Sequence, residues 1–173
     1  MSRGRTRGRE LALWLLCHVD HADVDVAEGL DLFWRAPPDL DADDEFLAPV
    51  GEELHQTLAD ADARRWARRL SEAYARRAQS VDAVIEAVSQ RWRLARMDRV
   101  DRNVLRLAAV ELEGETTPRG VVVSEAVRMA ARYGSERSVS FVNGLAEALA
   151  RRLRDQAEDP ATEGTDRGSE GDA

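Results

Sequence analysis

Lysine is absent from this 173-residue chain, so all 25 of its basic residues are arginines. Each is permanently charged and carries a planar fork suited to phosphate or carboxylate. Cysteine is nearly absent: the single one, Cys17, excludes a disulfide framework and a multi-cysteine zinc site, and fits a reducing compartment. Aromatics make up only 5% of residues, which leaves Ala, Leu and Val to build the core. Long apolar runs are missing too. Leu11 to Cys17 falls far short of the ~20 residues a membrane span needs. Glu10 at its junction, and the lack of a small-x-small cleavage site, argue against a signal peptide, so a cytoplasmic protein is expected. Nor is there a glycine-rich phosphate loop, a nucleophile elbow or an HExxH motif. Asp82 and Glu86 share a helical face, but carboxylates are too abundant for that pairing to mean much. Nothing argues for an enzyme.

The net charge of −8 conceals an uneven distribution. From Asp20 to Asp62 fourteen acids stand against Arg35 alone, and from Asp155 to Ala173 seven stand against Arg167. The remainder of the chain is therefore basic, at +11. An acidic average does not exclude a nucleic-acid partner.

Apolar spacing predicts an all-α fold of about seven helices in one domain, arranged as two small subdomains. Leu11, Ala12, Leu15, Leu16 and Val19 form one face of a first helix, and Val26, Leu30, Phe33 and Trp34 one face of a second, ended by Pro37. Leu54 and Leu58 mark a short acidic helix after Pro49, within an acidic loop or insert spanning about 36–62. Trp66, Leu70, Ala73 and Tyr74 mark the next. Ser80 reads as the N-cap of a helix carrying Val81, Val84, Ile85, Val88 and Trp92. Asp98 caps another, ended by Gly114; a helix through Val123, Val127 and Ala130 ends at Gly134; Ser138 starts the last, with Val142, Leu145, Leu149 and Leu153 inward. The domain is expected to span residues 1–154. The acidic tail, 155–173, lacks apolar periodicity and is expected to be disordered.

Two segments invite an anionic ligand. Arg3, Arg5, Arg7 and Arg9 alternate with Gly4, Thr6 and Gly8 just where a helix begins. A helix N-terminus carries partial positive charge, so arginines are locally unfavourable there and acids would be the stable choice. A flexible, glycine-spaced arginine arm suits RNA, although the same residues also read as a solvated chain end. The second segment is the turn from Tyr133 into Ser138, Val139, Ser140 and Phe141. Phe141, about 100° from the inward Val142, could stack a base beside free backbone N–H groups and the hydroxyls of Ser138 and Ser140, or pack against a neighbouring helix. Cys17, His18 and His21 are close in sequence but lack a convincing fourth zinc ligand; surface histidines and a core or groove cysteine is the plainer reading, and no metal is expected. The paired arginines Arg64–Arg65, Arg68–Arg69 and Arg76–Arg77 read as the solvated back of a helix, paired with the acidic segment beside them.

The run WRLARMDRVDRNVLRLAAVEL (92–112) resembles the NusB transcription antitermination family. So do Pro118 through SEAVRMAARYG (124–134), the FVNG motif at 141–144, and the arginine-rich opening running into Arg9-Glu10-Leu11-Ala12-Leu13. The resemblance is close over about 80–152 and at the N-terminus, and loose from Asp20 to Asp62. It implies a helical, non-enzymatic domain that binds the boxA element of ribosomal RNA leader transcripts together with the ribosomal protein NusE, within an antitermination complex on RNA polymerase. By position, the family's arginine-rich RNA-binding motif falls on Arg5, Arg7 and Arg9, with Thr6 where the family has Arg. The stacking aromatic falls on Phe141. Asp101 matches an acidic position facing NusE; Cys17 stands where Tyr is frequent in that surface, and Trp14 where Gln is. No cofactor is implied, and either a monomer or a homodimer is compatible. Two other readings remain: a helical adaptor working through its acidic segment, and a domain of the kind associated with ribosomal RNA methyltransferases, without catalytic activity of its own.

Overall fold

The computed structural model describes residues 3–22, 24–36, 51–90, 92–114 and 116–158. Among these residues the chain is all-helical, with seven α-helices: α1 (Arg3–Ala22), α2 (Val26–Arg35), α3 (Gly51–Ala59), α4 (Ala61–Ser89), α5 (Arg99–Glu113), α6 (Arg119–Tyr133) and α7 (Ser138–Glu158). The loop expected at Ala36–Asp44 lies outside the described residues except for Ala36, as does the tail after Glu158. Residues 155–158, assigned to that tail from sequence, instead continue α7.

Local chemistry sets several of the boundaries. Asp25 caps α2 by accepting hydrogen bonds from the Ala27 and Glu28 amides at 3.0 and 3.1 Å. Asp60 does the same for α4 through the Asp62 and Ala63 amides at 3.0 and 3.2 Å. Asp98 stands at the start of α5 as expected, but its side chain makes no capping bond.

The sequence divides α4 into two helices, whereas the structure joins them across a kink at Arg77, whose φ and ψ of −133° and 21° are not helical. Ser80 is therefore not an N-cap. Its hydroxyl donates to the Arg77 carbonyl at 2.9 Å, satisfying an acceptor near the break. Trp92 also departs from expectation: α4 ends at Ser89, and the indole is 52% exposed rather than inward.

Helix α4 serves both ends of the fold. Before the kink it packs on α1, with Ala63 and Trp66 against Gly8, and on α2 through Arg68 and Trp34. After the kink it faces α5: Arg106 grips Asp82 through two bonds of 2.9 and 2.8 Å, and Tyr74, from just before the kink, donates to the same carboxylate at 3.2 Å. One continuous core runs through the helices, built from residues such as Leu11, Leu15, Leu16, Leu70, Ile85, Leu105, Met129 and Leu149. Each fully buried side chain of this size contributes about 1.5–3 kcal/mol. No helix among the described residues is long and apolar enough to cross a membrane.

Candidate nucleic-acid interface

The arginine-rich opening is not a flexible arm. It is the first two turns of α1, and its glycines explain why. A Cβ on Gly8 would stand 2.7 Å from both the Ala63 carbonyl oxygen and the Trp66 Cβ, so glycine here admits a close approach of α1 to α4. Gly4, one turn earlier, is also buried. Tertiary packing thus carries the helix through a stretch whose propensity and charge both oppose it.

Helical spacing then separates the four arginines into two i,i+4 pairs. Arg3 and Arg7 share one side: Arg3 is exposed, and the half-buried Arg7 lies 3.9 Å from the capping carboxylate of Asp60. Arg5 and Arg9 share the other, facing Trp66, with guanidinium carbons 4.5 and 5.8 Å from the indole centroid. Arg5 remains exposed.

Arg9 does not belong with the others. It is 2% exposed, and its Nε donates to Glu111 Oε2 at 2.8 Å while Nη2 meets Oε1 of the same carboxylate. Its Nη1 lies 3.5 Å from Glu125, and Thr117 donates to Glu111 at 2.7 Å. Arg9 ties α1 to α5 and α6 and has no face to offer RNA. Beside it, Glu10 takes Arg128 and Arg132 of α6 at 2.7 and 3.0 Å.

The start of α7 also divides. Ser138 is fully buried; its hydroxyl accepts from the Ser135 amide at 2.9 Å and closes the turn, so it too is withdrawn from the RNA set. Gly134 is required beside it, since a Cβ there would lie 2.5 Å from the Ser138 side chain. Ser140 is exposed, its hydroxyl donating to the Arg137 carbonyl at 3.2 Å. Phe141 is half-buried, packed on the edge of the core with part of the side chain facing outward. The packing reading of this residue is met in part, and the exposed part leaves the stacking reading open.

These two places are not one pocket. Arg9 reaches α5 near its C-terminal end, at Glu111, whereas Ser138 adjoins Asp101 in the first turn of α5. Ten residues of helix separate those contacts, about 15 Å along the axis. A ligand touching both must be extended.

The residues expected to face a protein partner are corrected as well. Asp101 is 4% exposed and Cys17 2% exposed, so neither side chain presents a surface. Burial raises the Asp101 carboxyl above the ordinary carboxylate range, opposed by the adjoining Ser138 hydroxyl. Burial likewise pushes the Cys17 thiol up to about 11, although Asn103 donates to its sulfur at 3.6 Å. His18 and His21, by contrast, are exposed. Among the described residues no group of three His, Cys, Asp or Glu is placed to hold a metal ion.

With this geometry in place, comparison with known proteins is decisive. The family model described as the NusB family matches residues 6–151. The chain belongs to the NusB family. That family is non-catalytic. The chain is 39% identical over 150 residues to the transcription antitermination protein NusB of Anaeromyxobacter dehalogenans, covering 87% of this chain and 92% of that protein. It is 37% identical over 150 residues to the protein of the same name from Sorangium cellulosum, covering 86% and 93%. Among solved structures, it superimposes on T. maritima NusB with a TM-score of 0.64 at 29% identity, covering 91% of this chain and 99% of that one.

Proposed function

We propose that this NusB-family protein is a transcription antitermination factor that binds boxA-type RNA of ribosomal RNA leader transcripts and, with NusE, supports processive transcription by RNA polymerase. Arg3, Arg5 and Arg7 neutralise phosphates at one end, and Ser140 and Phe141 engage a base at the other. One observation carries this reading. Arginines are held accessible at a helix N-terminus with no acid in its first turn, an arrangement unfavourable until an anion arrives. The names of the relatives supply the process; the separation of the two places favours an extended strand over a compact anion.

The test is titration of boxA RNA over a salt series, with and without NusE. Arg7→Ala should weaken binding and reduce the logarithmic salt slope by about 0.7, the value for one lost single-strand phosphate contact. Phe141→Ala should weaken binding with little change in slope, because stacking releases no counterions. Affinity that survives both substitutions would remove these residues from the RNA site. No RNA binding by the wild-type chain would favour a helical protein adaptor instead.

A further inference from the structure

Beyond the N-terminal arginines, α4 presents a second basic surface. Arg5, Arg65, Arg68, Arg69 and Arg76 line a groove of about 730 Å³ together with Trp66, Asp62 and Glu72. The five arginines outnumber the two acids in it, and pairing does not cancel the excess. Asp62 is taken by Arg65; Glu72 is shared between Arg68 at 2.7 Å and Arg76 at 4.0 Å. Arg5 and Arg69 have no carboxylate partner among the described residues. Both lie instead on Trp66, with guanidinium carbons 4.5 and 5.3 Å from the indole centroid.

Trp66, only 7% exposed, is too buried to stack a base itself. Its role is to hold two guanidinium planes in place at the surface. A guanidinium plane is a stacking platform for an unpaired base as well as a phosphate fork, and one already ordered on an indole loses less entropy on binding. Arg65 and Arg76, eleven residues apart on α4, extend the groove over about 16 Å, with Arg69 between them. That length exceeds what a single phosphate needs.

We propose that this groove is a track for single-stranded RNA, continuous with the N-terminal site through Arg5, in which Arg69 and Arg5 hold the strand and Arg65, Arg68 and Arg76 follow its phosphates. The proposal rests on the RNA-binding reading and adds to it a surface on another helix. An acidic protein would also meet net positive charge, but it has no use for guanidinium planes prearranged on an indole.

The test uses the full chain with Arg69→Ala and Arg76→Ala combined, set against Arg151→Ala and Arg152→Ala, two exposed arginines on α7. Binding to a single-stranded boxA RNA lengthened by flanking leader sequence is followed by fluorescence anisotropy over a salt series. The α4 variant should lose about tenfold in affinity and lower the salt slope by about 0.7 per contact removed, while the α7 variant changes little. An α4 variant that binds like wild type, while Arg7→Ala weakens binding, overturns the groove alone. Equal losses in the α4 and α7 variants also overturn it, since they reduce the effect to overall charge. Wild-type protein that binds no RNA overturns the underlying reading together with the groove. If the α4 variant retains RNA binding but loses affinity for poly-glutamate, the groove belongs to an acidic protein and the proposal fails. Both variants should keep the wild-type circular dichroism melt, because all four side chains are exposed.

Discussion

Arg9 and Glu111 stand 102 positions apart in sequence and meet side by side in the interior, each side chain 2% exposed. The pair fastens the first helix to the fifth beneath the arginines that remain accessible. One of the four N-terminal arginines is thus a structural fastener, and the proposed RNA site stands on it.

Arg9→Ala strands Glu111 with Thr117 as its remaining hydrogen-bond donor, leaving a buried charge without a cation. The expected loss is about 3–5 kcal/mol in urea unfolding. Replacing both members, as Arg9→Met with Glu111→Leu, removes the orphaned charge and should recover much of that loss. A double variant no more stable than Arg9→Ala would show that the surrounding polar groups, not the unpaired Glu111, set the cost.

Two glycines should respond with opposite signs. Gly8→Ala drives a methyl group against the Ala63 carbonyl and the Trp66 Cβ, so α1 must move away from α4. A loss of about 1–3 kcal/mol is expected, with weaker RNA binding as the arginines shift. Gly144→Ala meets nothing within 4 Å and should stabilise α7 by about 0.5–1 kcal/mol. Thermal unfolding compares the two directly; a stabilising Gly8→Ala would contradict the close helix contact.

The helices were legible because burial imposes its spacing locally: Leu11, Leu15, Leu16 and Val19 announce α1, and Val142 and Leu149 announce α7. What escaped the sequence depended on distant partners. Nothing near Arg9 shows that Glu111 awaits it, and nothing near Asp101 shows that α7 covers it. Gly4 and Gly8 looked like flexibility and serve close packing, a distinction that requires knowing where Trp66 lies. The α4 groove had a partial signal, Arg65, Arg69 and Arg76 recurring at helical spacing, but Trp66 reads as core, as it is, and nothing near it shows that Arg5 and Arg69 lie on its ring. Trp92 continues the apolar spacing of α4 in sequence, but the helix itself stops three residues earlier.

Cys17 should be chemically silent in the native protein. With its thiol raised to about 11 and its side chain 2% exposed, little thiolate exists at pH 8 and less can be reached. Iodoacetamide should leave native protein unlabelled by mass spectrometry and label it rapidly in urea. Fast native labelling would mean that the contact between α1 and α5 opens far more readily than the packing implies.

Asp101 occupies the first turn of α5, where the helix dipole favours a carboxylate, yet burial prevails and raises its affinity for a proton. The sign of the pH effect follows. Below about pH 3.8, the ordinary value, the carboxyl is neutral in both folded and unfolded chains and exacts no charge penalty. As the pH rises from there through the higher folded value, the unfolded chain ionises first and stability falls; above it the loss is complete. Asp101→Asn removes that ionisation while retaining a polar group for Ser138. At neutral pH the variant should therefore unfold at higher urea concentration than the parent, with the gap narrowing as the pH falls toward 3.8. A gap that is absent at neutral pH, or that widens on acidification, would show that the helix N-terminus outweighs burial at this carboxylate.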